Sequence, residues 1–256
     1  MNRSLYLTLS FLILAVFAIS CRPTPTPKEE AKALFLQDLD SLESLVNGPL
    51  LQLAQSGSDQ DSIQETFYRC RLVYKKIEHF TEYFYPTTSR LVNGPALPEY
   101  ELEENKSFEP GGLQVIEEMI FPFDTSARTE LVREVRKLQP ELRRYRALWA
   151  ATDFTEAHLF EAIRLQLFRN ITLGVSGFDT PICQTAIPEL TTNLGALQRY
   201  VDLFAGEEET GLNRLFGQAI DFTKQHPDFD TFDRLTFIAE YINPLTGTLL
   251  DYQKQL

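Results

Sequence analysis

The stretch "GGLQVIEEMIF", residues 111–121, places Gln114 and Glu117 three apart, the spacing that puts two side chains on one face of a helix. Glu117 offers a carboxylate that can ligate a cation or take a proton. Gln114 offers a neutral carbonyl oxygen and an amide, neither a good transition-metal ligand nor a base. The pair therefore has two readings. In one it is part of a small-ligand or metal site that borrows further ligands. In the other it is a fastener: Gln114 hydrogen-bonds across to another helix, Glu117 pairs with a buried cation such as Arg71 or Lys75, and Gly112 lets two backbones approach closely. Glu118, one residue further round the helix, is expected at the surface.

Other chemistry-bearing residues are sparse. Glu78 and Glu82 lie one turn apart near the polar edge of a helical pattern, and in a bundle Glu78 comes within reach of Glu117. Two such carboxylates are half of a carboxylate metal site, but the Glu-x-x-His motifs that complete a di-iron bundle are absent, so a salt-bridge network is the plainer reading. His79, beside the entrance to a long loop, and His158 and His226 read as cap, surface or loop histidines before they read as ligands. Ser89 and Ser176 have no His-Asp companions in a recognisable motif, and the turn "GVSGFDTP" lacks the lysine and spacing of a phosphate loop. The three cysteines are Cys21, Cys70 and Cys183; no Cys-x-x-Cys-His attaches a haem and no Cys/His spacing suggests zinc.

The start of the chain sets the compartment. Met1-Asn2-Arg3 is a short basic region, residues 5–19 are apolar but too few to span a membrane comfortably, and Ala18-Ile19-Ser20-Cys21 ends the run. Residues 1–20 are thus expected to be a signal peptide of lipoprotein type, with Cys21 as the acylated first residue. Residues 21–30, with "RPTPTPKEE", are expected to be a tether that favours extended polyproline geometry. Cell-envelope localisation follows, and Arg22 in place of a retention aspartate points to the outer membrane, facing periplasm or surface. An oxidising envelope permits a disulfide between Cys70 and Cys183, although two free thiols fit their apolar neighbours equally well.

Residues 31–256 are then the folded part, long enough for a large core. The chain carries a net charge of -12, and removing the leader with its single cation, Arg3, leaves -13. That balance disfavours nucleic acid and anionic lipid surfaces, and no basic patch stands out to offset it.

Periodicity predicts an all-α fold, a bundle of long antiparallel helices with scattered rather than alternating β-branched residues and no sheet. Over 62–85, Ile63, Phe67, Cys70, Tyr74, Ile77, Phe80, Thr81 and Phe84 recur every three or four residues, with Ser62 and Glu65 spaced as a capping box and Pro86 as the stop. Further helices are expected over 27–55, 111–121, 126–150 with an interruption at Pro140, 155–176 capped by Asp153 and Glu156, 184–205, 210–225 and 229–252. Residues 86–110 read as one long loop, the kind that is functional or mobile. The two halves are compatible with two related bundles.

Within this frame "GGLQVIEEMIF" resembles the signature of the imelysin family, written Gly-x-His-x-x-Glu, with Gly112, Gln114 and Glu117 at the defining positions and glutamine in place of histidine. "YKKIEHFTEYFYP", "LVNGPALPE", "EPGGLQVIEE" and "TLGVSGFDTP", spread over 68–188, are similar to the N-terminal helical domain that precedes the haem domain in di-haem cytochrome c peroxidases of Bacteroidetes. The resemblance implies an imelysin-like helical domain accessory to such a peroxidase or a related electron-transfer partner, a c-type cytochrome included, with no haem of its own. As an alternative it implies iron or another divalent metal held by Glu117, Glu78 and His79, with Gln114 off the metal or bridging through water. An active metallopeptidase would need the missing histidine, so binding rather than catalysis is expected.

Overall fold

Local chemistry sets the first boundaries. The computed structural model describes residues 24–57, 59–101, 105–205 and 210–255, so the leader, Cys21 and the start of the tether lie outside it. Thr26 and Glu29 form a reciprocal capping box ahead of α1 (Pro27–Leu45), with Pro27 in the first turn. The chain runs on through a π-helical turn, Val46–Leu50, into α2 (Leu51–Ser56). Pro49 lies inside that turn; it has no N–H to donate, and the wider turn accommodates it without ending the helix. Gly57, at φ +64°, closes the unit.

Helix α3 (Gln60–Phe84) starts earlier than the Ser62–Glu65 pattern suggests, because Asp59 caps it by accepting the Ser62 N–H at 3.1 Å. Ile63, Phe67, Cys70, Tyr74, Ile77 and Phe80 form its fully buried stripe. Pro86 ends this helix and opens the next, α4 (Pro86–Asn93). The region expected as one long loop therefore contains a helix. It also contains a small antiparallel ribbon, β1 (Glu99–Glu101) with β2 (Lys106–Phe108), in which Tyr100 faces Ser107. This ribbon corrects the expectation of no sheet, while the body of the fold is all-α.

After α5 (Leu113–Ile120), α6 (Arg128–Ala151) passes Pro140 without the expected interruption. Pro140 is exposed, so the Arg136 carbonyl that it leaves unpaired can turn to water. Helix α7 (Glu156–Arg169) is capped by Thr155 with His158, not by Asp153 with Glu156, and ends in a π turn, Asn170–Gly174. Then follow α8 (Ala186–Ala205), α9 (Thr210–Gln225), the short α10 (Arg234–Thr236) capped by Asp233, a π segment Phe237–Ile242, and α11 (Asn243–Gln253).

Helix α3 is the centre of the bundle, in contact with α1, α4, α5, α7 and α8. Helix α6 lies across α1, α2, α4 and α5, and α9 and α11 complete the far side against α8 and α7. Buried apolar side chains from Ala31 to Leu249 form one connected core. Its densest part is aromatic: Trp149 sits 4.3 Å from Phe35 and 4.7 Å from Phe80, and Phe80 meets Tyr200 at 5.1 Å between ring centroids. Each such side chain contributes about 2 kcal/mol by burial, with about 1 kcal/mol more per well-placed pair. Among the described residues no helix is long and apolar enough to cross a membrane.

Candidate functional site

The second glycine of the Gly-Gly pair is the one the backbone requires. Gly112 has φ +92° and ψ -158°, and a Cβ there would lie 2.4 Å from the Val92 carbonyl oxygen. Gly111 meets nothing closer than 3.8 Å. The contact arises because the start of α5 is pressed onto the end of α4. It brings Gln114 Nε2 to 3.1 Å from the Asn93 carbonyl oxygen, which it satisfies with a hydrogen bond.

Glu117 is fully buried and does not pair with Arg71 or Lys75. Instead its Oε1 accepts the backbone N–H groups of Ile182 at 3.0 Å and Cys183 at 2.7 Å. Two charge-assisted bonds to main-chain donors hold the turn between the π turn 170–174 and α8 against α5. Its Oε2 has no hydrogen-bond partner. Glu118 is exposed, as its place on the helix requires.

Beside this fastener lies a buried ionic network that the sequence reading placed only in part. Arg71 forms a two-pronged pair with Glu189, Nε at 2.6 Å and Nη2 at 2.9 Å, and donates to Asn93 Oδ1 at 3.0 Å. Lys75 Nζ donates to both oxygens of Glu78, at 2.9 and 3.0 Å, and to Asp179 at 2.7 Å. Glu78 is thus in the interior, not on a polar edge, and Gln166 also donates to it at 2.8 Å. Gln166, Asn170 and Asn193 continue the chain of hydrogen bonds to the Lys75 carbonyl. Arg169 bonds Glu82 at 3.0 Å and lies 3.6 Å from Glu78.

Burial by itself lowers Lys75 and Arg71, but the facing carboxylates, Asp179 and Glu78 for the lysine and Glu189 for the arginine, outweigh it and leave both raised. Asp179 is lowered because Lys75 and Arg71 overcome its own desolvation. Glu82 is the exception: burial, with Glu78 and Asp179 adding to it against Arg169, pushes its carboxyl up to about 7. Three cations, Arg71, Lys75 and Arg169, therefore face four carboxyl groups, Glu78, Asp179, Glu189 and Glu82, of which burial raises Glu82 while Lys75 and Arg71 lower Asp179.

His79 is turned away from all of this. It is fully buried between Phe80 and Tyr200, with ring centroids at 4.3 and 4.5 Å, and neither ring nitrogen has a hydrogen-bond partner. This corrects its expected place at a loop entrance, and burial drops its pKa to about 3. His158 is a cap residue, and His226 Nδ1 meets the Phe222 carbonyl at 2.9 Å at the end of α9. Cys70 and Cys183 are both free thiols, and burial pushes each up to about 12.

The donor set does not fit a metal ion. Among the described residues no three His, Cys, Asp or Glu side chains are grouped to hold one. Glu78 is held by Lys75 and Gln166, Glu117 binds the 182–183 backbone through Oε1, and His79 faces the aromatic core, so the three do not converge. Among the described residues, Ser89 Oγ meets Tyr145 Oη at 2.9 Å rather than a histidine. Instead a cavity of about 170 Å³ opens over the network, lined by Glu82, Ser89, Asn93, Gln114, Arg169, Phe178 and Asp179 among others. It offers the guanidinium groups of Arg90 and Arg169, a protonatable carboxyl and neutral amides, a set suited to orienting a small polar molecule.

Arg169, Asp179, Glu189, Gln166, Asn170 and Asn193 escaped the sequence reading. Their signal was present: Gln166–Asn170 and Glu189–Asn193 are polar pairs four apart within otherwise apolar helix faces, and Arg71, Lys75, Glu78 and Glu82 form a second stripe on α3 beside its apolar one. The chain matches no protein-family model and no curated protein.

Proposed function

We propose that this chain is a lipid-anchored helical binding module of the cell envelope, at the outer membrane and facing periplasm or surface, accessory to a di-haem cytochrome c peroxidase or similar electron-transfer partner. The observation that carries the reading is the engagement of Gln114 Nε2 and Glu117 Oε1, at the imelysin-like positions, in internal hydrogen bonds that fasten α5 to its neighbours. Resemblance of the four ordered motifs to the peroxidase-associated domain supplies the partner class, and a net charge of -12 suits docking to a basic cytochrome. The alternative, an iron or other metal-binding imelysin-like lipoprotein, is disfavoured by the dispersal of Glu78, His79 and Glu117 onto separate partners.

Titration of the mature chain with a basic c-type cytochrome, by calorimetry at low and at physiological ionic strength, tests the partner class. The expected result is binding that weakens as salt rises, because the attraction is between opposite net charges. Absence of binding at low ionic strength would overturn it.

A further inference from the structure

No basic patch stands out in the sequence, yet the fold assembles one. Helix α6 carries seven cations and three carboxylates, a net +4 that leaves -16 on the rest of the chain. Burial then sorts the signs. Arg128, Arg133, Arg136, Lys137, Arg143 and Arg144 are exposed, whereas Glu134 is buried and Glu130 and Glu141 are partly buried, so every exposed charge on this helix is positive. Arg133 and Lys137 lean inward on Glu130 and Glu134, Arg144 on Glu141 and Arg146 on Asp40 and Glu43. Arg128, Arg136 and Arg143 have no ion pair among the described residues. Their spacing of eight and then seven residues returns them to one outward stripe at two-turn intervals, roughly 22 Å long.

The C-terminal end of the same helix adjoins the root of the tether. Lys28, in the first turn of α1, pairs with Asp153 just beyond the end of α6, and its Nζ lies 5.8 Å from the Phe154 ring centroid. Lys32 Nζ lies 6.0 Å from the Trp149 ring centroid. Cys21 precedes Pro27 by six residues, a span of at most about 20 Å even fully extended. An acyl chain on Cys21 would therefore hold the bilayer within reach of this end of α6.

We propose that the exposed face of α6 lies on an anionic phospholipid surface, the surface in which the acyl chains of Cys21 are embedded; the inference rests on the lipid-anchor reading above. The overall negative charge does not prevent this. The screening length is about 8 Å at physiological ionic strength, less than the roughly 10 Å diameter of one helix, so acids on the far side are muted while arginines at the headgroups act in full. Each cation at such a surface is worth about fivefold in the binding constant. The acyl chains supply attachment, and the arginine stripe supplies orientation.

The test uses the chain 21–256 with Cys21→Ala, which contains every described element and carries no lipid. Co-sedimentation is measured with vesicles of phosphatidylcholine alone and of equal parts phosphatidylcholine and phosphatidylglycerol. The expected result is binding to the anionic vesicles only, reduced about 25-fold by Arg136→Gln with Arg143→Gln and unchanged by Arg214→Gln with Lys254→Gln, which alters net charge equally elsewhere. Circular dichroism checks that both variants remain helical. No preference for anionic vesicles, or an equal loss in both pairs, would overturn the proposal. The mass of the N-terminal peptide from the full-length chain reports acylation separately, so failure of the anchor is told apart from failure of the arginine face.

Discussion

Glu117 Oε1 lies 2.7 Å from the backbone nitrogen of Cys183, so the carboxylate of the Gly-Gly helix is a structural anchor for a turn 66 residues away in sequence. Replacing it removes the acceptor for two main-chain donors at once. Glu117→Ala is expected to lower unfolding stability by about 3 kcal/mol in urea titration, and Glu117→Gln, which retains one oxygen acceptor, by about half of that. Hydrogen exchange at the Ile182 and Cys183 amides should accelerate in Glu117→Ala ahead of amides in α3. Unchanged protection at those two amides would refute the anchoring role.

The two glycines should separate cleanly. Gly112→Ala meets a carbonyl oxygen at 2.4 Å in a backbone conformation closed to L side chains, and is expected to cost at least about 3 kcal/mol or to prevent folding. Gly111→Ala has open space at 3.8 Å and should remain within about 1 kcal/mol of the natural sequence. Denaturation midpoints of the two variants check this directly.

Glu82 gives stability a defined pH dependence. Its carboxyl is raised from 4.5 to about 7 in the folded protein, so between those values only the folded state keeps the proton. Its contribution is fully present below pH 4.5 and is lost as pH rises through about 7, a total of about 3 kcal/mol. Glu82→Gln is permanently neutral and should therefore gain on the natural protein by that amount across the same window, read as the difference between their urea stabilities.

His79 acts with the opposite sign. Its pKa falls from 6.5 to about 3, so its contribution is present above pH 6.5 and is lost as pH falls, at about 1.4 kcal/mol per pH unit. Between pH 4.5 and 6.5 the Glu82 and His79 slopes offset each other. His79→Leu should abolish the acid-side loss and expose the Glu82 slope alone. It should also stabilise the protein at neutral pH, because two buried ring nitrogens without partners are replaced by apolar surface.

The helices were legible because their signal is local. The stripe from Ile63 to Phe80 fixes α3, and Pro27, Gly57 and Pro86 punctuate the chain where periodicity changes. Helix α4 and the ribbon were not, since eight residues and two three-residue strands are too short for periodicity to register. Pro140 misled because its effect depends on exposure, which only the tertiary structure decides. Gln114 could be read as a cross-helix hydrogen bonder from its type alone. Glu117 reads as the partner of a cation such as Arg71 or Lys75 but takes two main-chain donors instead, because backbone donors leave no trace in side-chain identity. Arg71 and Glu189, paired across 118 residues, are each ordinary in their own helix. The α6 face was hidden for a related reason: its sequence alternates Arg and Glu, and only burial separates them.

Whether Gln114 and Glu117 are structural is decided by thermal unfolding of the mature chain with and without iron, calcium or zinc. A ligand that binds only the folded state must raise Tm. No metal-dependent rise is expected in the natural protein, and a lower Tm, equally insensitive to metal, is expected in Glu117→Ala. A rise with metal that disappears in Glu117→Ala would contradict a structural role and make the Gly-Gly helix a metal site.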